Sequence, residues 1–506
     1  MKSRFWPCWT SNCRIFPQTS LLLFWRLKNH KFSNGGPQMK RVLALDALRG
    51  FAILTMILSG VIAYNILPAW MYHAQLPPPD HTFNPNLPGL TWVDLVFPLF
   101  LFAMGASFPL AMNRRLIQGD SYFQLIKKIV ERTILLAFFA VFIKHVHAYN
   151  IAAPNSPNNW HWLIALLAFP VIFAIYVRPK KEWNPKISRI LKYLAWFIAL
   201  VWLFFFENGK GEGFSFNRND IIIIVLTNMA FFGALLWLFT RGNLLLRLGI
   251  LTIYLALRLS HAENPLFDTV WNCSPFSWLY RLDFLKYLFI VIPGSIAGDL
   301  IWSYSSAKEQ NGNGSSWSNS RLWTQVIFML AIILFALIGY QSRWVNITPV
   351  VLILSAFAGL WLTQKPADEL EKLVHKLWHW GAFWLILGAF FEPFEGGIKK
   401  DSSTMAYYFI TSGLSVAMLI SFIILLDKLR LERVFTLLIH NGQNPMIAYI
   451  GVANLIWPVL AMTGLEALLV SVTQTPFLGF LRGVLKTVLL AYMVSFFTKK
   501  KLFWKT

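Results

Sequence analysis

The chain has 506 residues, of which 56% are hydrophobic and only 13% are charged, whereas about a quarter of the residues in soluble proteins are charged. This composition excludes an ordinary soluble domain and indicates a protein with many membrane-spanning segments. The formal net charge of +22 does not favour nucleic-acid binding, because basic residues collect in the cytoplasmic loops of membrane proteins, where they meet anionic lipid. We therefore expect membrane lipid, and no nucleic acid, among the partners.

Long apolar stretches recur along the chain and are apolar on every face rather than in alternation. Lipid cannot satisfy exposed backbone groups, so such stretches cross a membrane as helices. The sequence predicts an all-α, polytopic transmembrane helical bundle with about 11–14 spans. The shortest stretches, 243–258 and 377–391, have the length of half-helices. The candidates are 43–66, 92–113, 125–144, 160–177, 188–206, 220–239, 243–258, 284–304, 322–340, 346–364, 377–391, 405–427, 445–464 and 482–498.

Basic residues alternate between the connections that join these stretches. With the N-terminus inside, the inside connections and the C-terminal tail hold about 25 Lys and Arg, and the outside connections hold about 11. Arg114, Arg115 and Arg132 belong to the inside count. The sequence thus predicts that both termini are cytoplasmic. We expect a multi-pass integral membrane protein, located in a bacterial cytoplasmic (inner) membrane.

The chain is predicted to form one transmembrane domain, residues 39–506. Residues 1–38 are basic and aromatic and lack a clean cleavage site, so they are expected to be a disordered extension or an upstream misread start. The flexible stretch from Lys308 to Ser320 is interpreted as a loop. Three cysteines without paired spacing imply no metal site.

Asp46 and Arg49 lie three residues apart in the first apolar stretch, which puts them on one helical face near the cytoplasmic boundary. Charged groups at membrane depth are costly and usually have a function. One interpretation is a pair that satisfies itself at the headgroup level. The other is that Arg49 binds an anionic group, such as a phosphate, that enters from the cytoplasm.

His73 lies in the first outside connection, and Asp94 lies at the start of the second stretch. Histidine titrates near neutral pH, so His73 is a candidate general base or acyl acceptor, although a surface role is the more common one. Asp94 also fits an ordinary helix cap. If Asp94 instead binds a ring nitrogen of His73, it would fix the tautomer, as the acid does in catalytic triads.

Two further clusters are polar. An outside loop that is rich in glycine and charge is a candidate site for a sugar acceptor, with a plain solvated loop as the alternative; its residues are Glu392, Glu395, Lys399, Lys400 and Asp401. On the inside, Asn444 precedes a proline at a broken helix start, where backbone N–H groups favour anions.

Several of these segments carry a resemblance to a known family. They are residues 41–50, His73-Ala74, 89–98 and 102–105, with weaker matches through 396–401 and 444–449. Over about 75 residues they resemble the heparan-alpha-glucosaminide N-acetyltransferase family and its bacterial relatives. The stretch from Gln75 to Pro88 is an insertion relative to that family's pattern, so the resemblance does not identify the acceptor.

The resemblance implies an enzyme that takes acetyl-CoA from the cytosol and delivers the acetyl group across the membrane to a sugar amine, with His73 in the place of the family's histidine. We expect Arg49, with Asp46, Arg114, Arg115 and Asn444, to bind the donor. His73 then either accepts the acetyl group or acts as a base, and Asp94 orients it. The acceptor is an amine or hydroxyl of a small-molecule sugar or glycan. A transporter or flippase for an envelope sugar or lipid is the alternative, and a homodimer is left open.

Overall fold

The computed structural model describes residues 41–306 and 316–504. The predicted N-terminal extension, residues 1–38, lies outside the described residues, as does most of the predicted flexible loop. The described chain is helical, and its one β contact is an isolated bridge between Val177 and Trp504. The predicted all-α fold is confirmed.

Fifteen helices of 12 residues or more are found in the described ranges. Their bounds, in chain order, are α1 Leu43–Val61, α2 Trp92–Ile117, α3 Tyr122–His145, α4 Asn159–Tyr176, α5 Pro185–Phe204, α6 Ile221–Thr240, α7 Leu244–Glu263, α8 Leu282–Ser305, α9 Asn319–Gln341, α10 Ile347–Leu362, α11 Glu369–Phe394, α12 Met405–Lys428, α13 Glu432–Gln443, α14 Pro445–Met462 and α15 Pro476–Lys499. Shorter helices at Ala148–Ala152, Pro265–Asn272 and Leu465–Val472 lie in the connections.

Eleven of these helices are long and apolar enough to cross a membrane. Helices α3 and α11, with 24 and 26 residues, are long enough but carry more charge, and α10 has only 16 residues. The predicted stretches 243–258 and 377–391 have no half-helix character in the structure. The stretch 377–391 lies within the 26-residue helix α11. The largely polar segment 369–376 before it belongs to the same helix.

The helix ends form two faces. One face, termed the loop face, contains residues 62–91 and 395–404, which hydrogen bond to each other through Gly89 N–H and the Ile398 carbonyl (2.8 Å). The other, termed the tail face, contains the start of α14 and residues 500–504. There the Asn444 amide donates to the Leu502 carbonyl at 2.7 Å. That the tail face is cytoplasmic stays a prediction from the distribution of basic residues.

Helix α12 is the centre of the bundle. Every residue from Met405 to Ile423 is buried, and the helix packs against α1, α2, α8, α9 and α11. By contrast, the apolar windows of α5 and α7 are only 17% buried, and their exposed leucine and phenylalanine side chains form an outer surface suited to lipid. The site described below therefore lies at the end of a fully packed core.

Helices α1 and α13 cross in direct backbone contact. A Cβ atom on Gly50 would lie 1.8 Å from the Leu438 carbonyl oxygen, and one on Gly442 would lie 1.8 Å from the Asp46 carbonyl oxygen. Only glycine permits this approach, as in other close helix crossings in membranes. The crossing fixes Asp46 and Arg49 against the start of α14.

Replacing Gly50 with alanine should destabilise the protein by about 1–3 kcal/mol, because the added methyl group overlaps backbone atoms that cannot move aside. The measurement is the apparent unfolding midpoint in detergent. Gly60→Ala is the matched control, since it lies in the same helix and its Cβ would meet nothing within 4 Å. Equal midpoints for the two variants would contradict the close crossing.

Candidate functional site

The Asp94 carboxylate joins the loop after α1 to the first turn of α2. Its Oδ2 atom accepts hydrogen bonds from Thr91 N–H (3.1 Å), Thr91 Oγ1 (3.0 Å) and Ala74 N–H (3.1 Å). Its Oδ1 atom lies 2.8 Å from Nδ1 of His73. Asp94 is 2% exposed, so the helix-capping role and the contact with histidine are both made by one buried group.

The arrangement of donors sets the tautomer of His73. Ionised Asp94 can only accept, so the His73 Nδ1 atom carries the proton that it donates to Oδ1. The Nε2 atom then has a free lone pair, which is the form required of a nucleophile or a general base. The His73 side chain is 36% exposed, so its ring can be reached from the loop face.

Lys400 brings the 395–404 segment of the loop face to the same histidine. Its Nζ atom lies 3.1 Å from His73 Nδ1 and 3.7 Å from Asp94 Oδ1. Because Nδ1 already donates to Asp94, we assign the lysine charge to the carboxylate rather than to the ring. The half-buried ammonium offsets part of the charge of the buried carboxylate.

The Gln75–Pro88 stretch folds onto that loop. The Gln75 side chain bonds to the backbone of Asp401 at both its N–H (2.9 Å) and its carbonyl, and it also donates to the Pro85 carbonyl at 3.2 Å. Gln75 is 4% exposed. The stretch therefore fixes the loop that carries Lys400, so the predicted insertion is a structural part of the site.

A cavity of about 250 Å³ lies deeper in the bundle, along α1, α2, α3, α6 and α14. On α2 it extends from Phe97 to Ser107, a distance of about 15 Å along the helix axis. Apolar side chains line most of it, but Arg49 and Arg132 both reach its wall. We term it the arginine cavity.

The two arginines differ in their partners. Arg49 donates to Ser107 Oγ (2.6 Å) and to the Gly442 carbonyl (3.2 Å), and it lies 3.5 Å from Asp46. The Arg132 Nε atom is buried without a hydrogen-bond partner among the described residues. Two positive groups in one apolar cavity favour an anionic ligand.

His73 does not line the arginine cavity. The nearest lining residue along α2 is Phe97, three residues or about one helical turn from Asp94. The arginine cavity therefore ends about one helical turn from Asp94 along α2. The residues of α1 and α2 thus connect the positive end of the cavity with the His73–Asp94 pair.

The predicted acceptor residues have different environments. Both Glu395 oxygens accept from the first N–H groups of α12, at Met405 (2.7 Å) and Ala406 (2.8 Å). Burial raises the pKa of Glu395, and these two hydrogen bonds oppose that effect. Glu392 is 2% exposed and lines a second cavity, described below. Lys399 is half-buried.

Three predicted donor-binding residues lie apart from the arginine cavity. Arg114 is exposed and Arg115 lies 3.4 Å from Asp120, both in the last turn of α2. Asn444 is fully buried, and its amide is bonded to Leu502, Thr498 and Trp504 of the C-terminal segment. The sequence interpretation placed Asn444 at an anion site, whereas its amide holds the chain end at the tail face.

Sequence reasoning overlooked the role of two residues. Arg132 was counted among the basic residues of an inside connection, although it lies ten residues into α3. The sequence feature that indicates a role for Arg132 is its position within the apolar stretch 125–144. Gln75 lies in a proline-rich segment without periodicity, and no local pattern indicates its distant partner.

Together these features define a polytopic helical membrane protein with a partly exposed histidine on a buried carboxylate and a positively charged internal cavity. A family model described as a domain of unknown function, DUF5009, matches residues 41–301, just over half of the chain, and the chain belongs to this family. Among curated proteins, it is similar to heparan-alpha-glucosaminide N-acetyltransferase from Homo sapiens (36% identity over 104 residues) and from Mus musculus (35% over 103 residues). The match covers 20% of this chain and 14% of each relative, and it confirms the resemblance seen in the sequence.

Replacing Asp94 with alanine should destabilise the protein by about 3 kcal/mol or more, because the substitution removes the helix cap and leaves Lys400 without its buried partner. The unfolding midpoint in detergent measures this. Asp80→Ala, an exposed carboxylate in the same loop, is the control and should change the midpoint little. A midpoint for Asp94→Ala equal to that of the control would contradict the described network.

Proposed function

We propose that this protein is a membrane-bound acyltransferase that moves an acetyl group from cytoplasmic acetyl-CoA to an amine or hydroxyl of a sugar at the loop face. The observation that carries the proposal is the His73–Asp94 pair, in which a buried acid leaves Nε2 of a partly exposed histidine free to react. The similarity to a membrane N-acetyltransferase supports the same reaction class. That similarity spans a small part of the relative, so activity and substrates are proposed here from the site.

The arginine cavity is suited to the donor. The phosphates of acetyl-CoA would bind Arg49 and Arg132, whose charges face one apolar space. The uncharged pantetheine arm would then follow the apolar wall of α2 toward Phe97. This course brings the thioester to the end of the cavity nearest His73.

The proposed chemistry has two steps. First, Nε2 of His73 attacks the thioester carbonyl, an N–C bond forms, the C–S bond breaks and coenzyme A leaves as the thiolate. The Asp94 carboxylate, which accepts from Nδ1–H, stabilises the positive charge that develops on the ring. Second, the acceptor amine or hydroxyl attacks the acetyl-imidazole, the N–C bond to His73 breaks and the acceptor proton is released to solvent.

The alternative role of His73 is that of a general base in a complex of both substrates. In that case Nε2 takes the acceptor proton while the acceptor attacks the thioester carbonyl, the C–S bond breaks and coenzyme A leaves as the thiolate. Both routes require the tautomer that Asp94 imposes. They differ only in whether acetyl is ever bonded to the protein.

Replacing His73 with alanine should lower acetyl transfer by about 100-fold or more, because both routes lose the reacting nitrogen. The assay is transfer of labelled acetyl from acetyl-CoA to glucosamine by purified protein. His379→Ala is the matched control, since that histidine is exposed and its ring bonds within its own helix, to the His375 carbonyl. Normal transfer by His73→Ala would defeat the proposal.

Replacing Arg132 with glutamine should weaken binding of coenzyme A by about tenfold or more, because one charge-assisted contact to phosphate is lost. Equilibrium binding to purified protein measures this without any turnover. Arg189→Gln, at an exposed position of α5 outside the cavity, is the control. If coenzyme A does not bind the unaltered protein while sugar crosses reconstituted membranes, the protein is a transporter and the proposal is wrong.

A further inference from the structure

A second cavity lies beside the His73 loop. Its volume is about 360 Å³, within the range of small-molecule sites, and it lies between the ends of α9 and α11 at the loop face. We term it the Glu392 cavity. The rest of its wall is formed by Pro88, Gly89, the 396–398 segment and residues 343–346, which follow α9.

Two buried polar groups of this cavity have no hydrogen-bond partner. The Glu392 Oε2 atom and the Tyr340 hydroxyl are both unpaired within the described ranges, and the two residues are 2% and 3% exposed. Leaving such a group unsatisfied costs about 1–3 kcal/mol, and more for a charged one. Unsatisfied groups are rare in native proteins, and two on one cavity wall indicate a ligand that supplies the missing partners.

The rim adds a charge and an aromatic ring. Arg343 is exposed and is attracted electrostatically to Glu392, but the two form no ion pair in the described structure. Trp344, next in the chain, is 43% exposed and also lines the cavity. A carboxylate, a hydroxyl and a guanidinium around an open space, with an indole beside them, match the hydroxyl groups and apolar face of a sugar ring.

The cavity is adjacent to the proposed reaction centre. Gly89 lines it, and a Cβ atom on Gly89 would lie 3.0 Å from the Cβ of Ala74, the neighbour of His73. Ile398 also lines it, two residues before Lys400, whose Nζ lies 3.1 Å from the His73 ring. A ring held in the cavity can therefore direct a substituent toward His73.

We propose that the Glu392 cavity is the acceptor subsite and binds a hydroxyl-bearing sugar ring, with Glu392 and Tyr340 bonded to its hydroxyl groups and Arg343 closing the rim. This inference rests on the proposed function for the step that follows binding. It adds Tyr340, Arg343 and Trp344 to the residues that determine which acceptor is used.

The geometry also explains why a glycine, Gly397, lies in the cavity wall. Gly397 has φ +106°, and a Cβ at this position would lie 2.5 Å from the Pro88 side chain. A larger residue would therefore push the 396–398 segment away from Pro88 and alter the cavity.

The test is calorimetric titration of purified protein with glucosamine in the absence of any acyl donor. We expect saturable binding. Tyr340→Phe should weaken it about 3- to 10-fold, and Glu392→Gln about 10- to 100-fold. Tyr340→Phe removes a hydroxyl that makes no hydrogen bond in the described structure, so the variant should fold normally. Tyr193→Phe, exposed on α5, is the matched control and should bind glucosamine with unchanged affinity.

The outcomes separate this inference from the proposed function. His73→Ala should bind glucosamine as well as the unaltered protein, because His73 does not line the cavity. Glucosamine binding that Tyr340→Phe weakens, without any acetyl transfer, would support the subsite and defeat the acyltransferase. The subsite is overturned if the unaltered protein shows no saturable binding, or if Tyr340→Phe binds as tightly as Tyr193→Phe.

Discussion

The buried carboxylate of Asp94 is the interaction on which the loop face depends. A desolvated carboxylate is costly unless its oxygens are bonded, and here Thr91, Ala74 and His73 supply the donors while Lys400 supplies a counter-charge. These groups come from three separate parts of the chain. Satisfying one charge therefore requires that the loop after α1, the first turn of α2 and the loop before α12 assemble together.

This requirement has a chemical consequence. A carboxylate that must accept at Oδ1 keeps the proton on Nδ1 of His73, so the Nε2 lone pair of this partly exposed ring is left free. The same helix that carries Asp94 lines the arginine cavity one turn further in. Structure and reactivity are thus linked through α2, because its first turn holds the histidine and its next turns line the space for a charged donor.

Much of the fold follows from the sequence, because lipid allows few alternatives. Stretches such as 221–238, apolar on every face, can only be helices, and the structure agrees. The proximity of His73 and Asp94 was open to sequence reasoning, because the residues flank one connection and have complementary chemistry. The helix that packs against Gly50 could not be predicted, because no pattern around a glycine identifies α13 as its partner.

The parts that sequence could not supply are contacts between distant segments. Lys400 reaches His73 across 327 positions, and Gln75 reaches Asp401 across 326. At Asn444 the local pattern predicts an anion site, but the Asn444 side chain hydrogen bonds to Leu502 and Trp504 of the C-terminal segment. Tyr340 gave no signal, because a tyrosine at the end of an apolar helix is common and only the cavity reveals its unpaired hydroxyl.

The central claim is that an acetyl group enters at one face and leaves at the other through His73. The most direct measurement uses proteoliposomes that expose the tail face to acetyl-CoA and enclose glucosamine on the loop face. The account predicts acetylated glucosamine in the enclosed compartment, with none formed in the compartment that holds the donor. Product that appears only when both substrates share one compartment would contradict it.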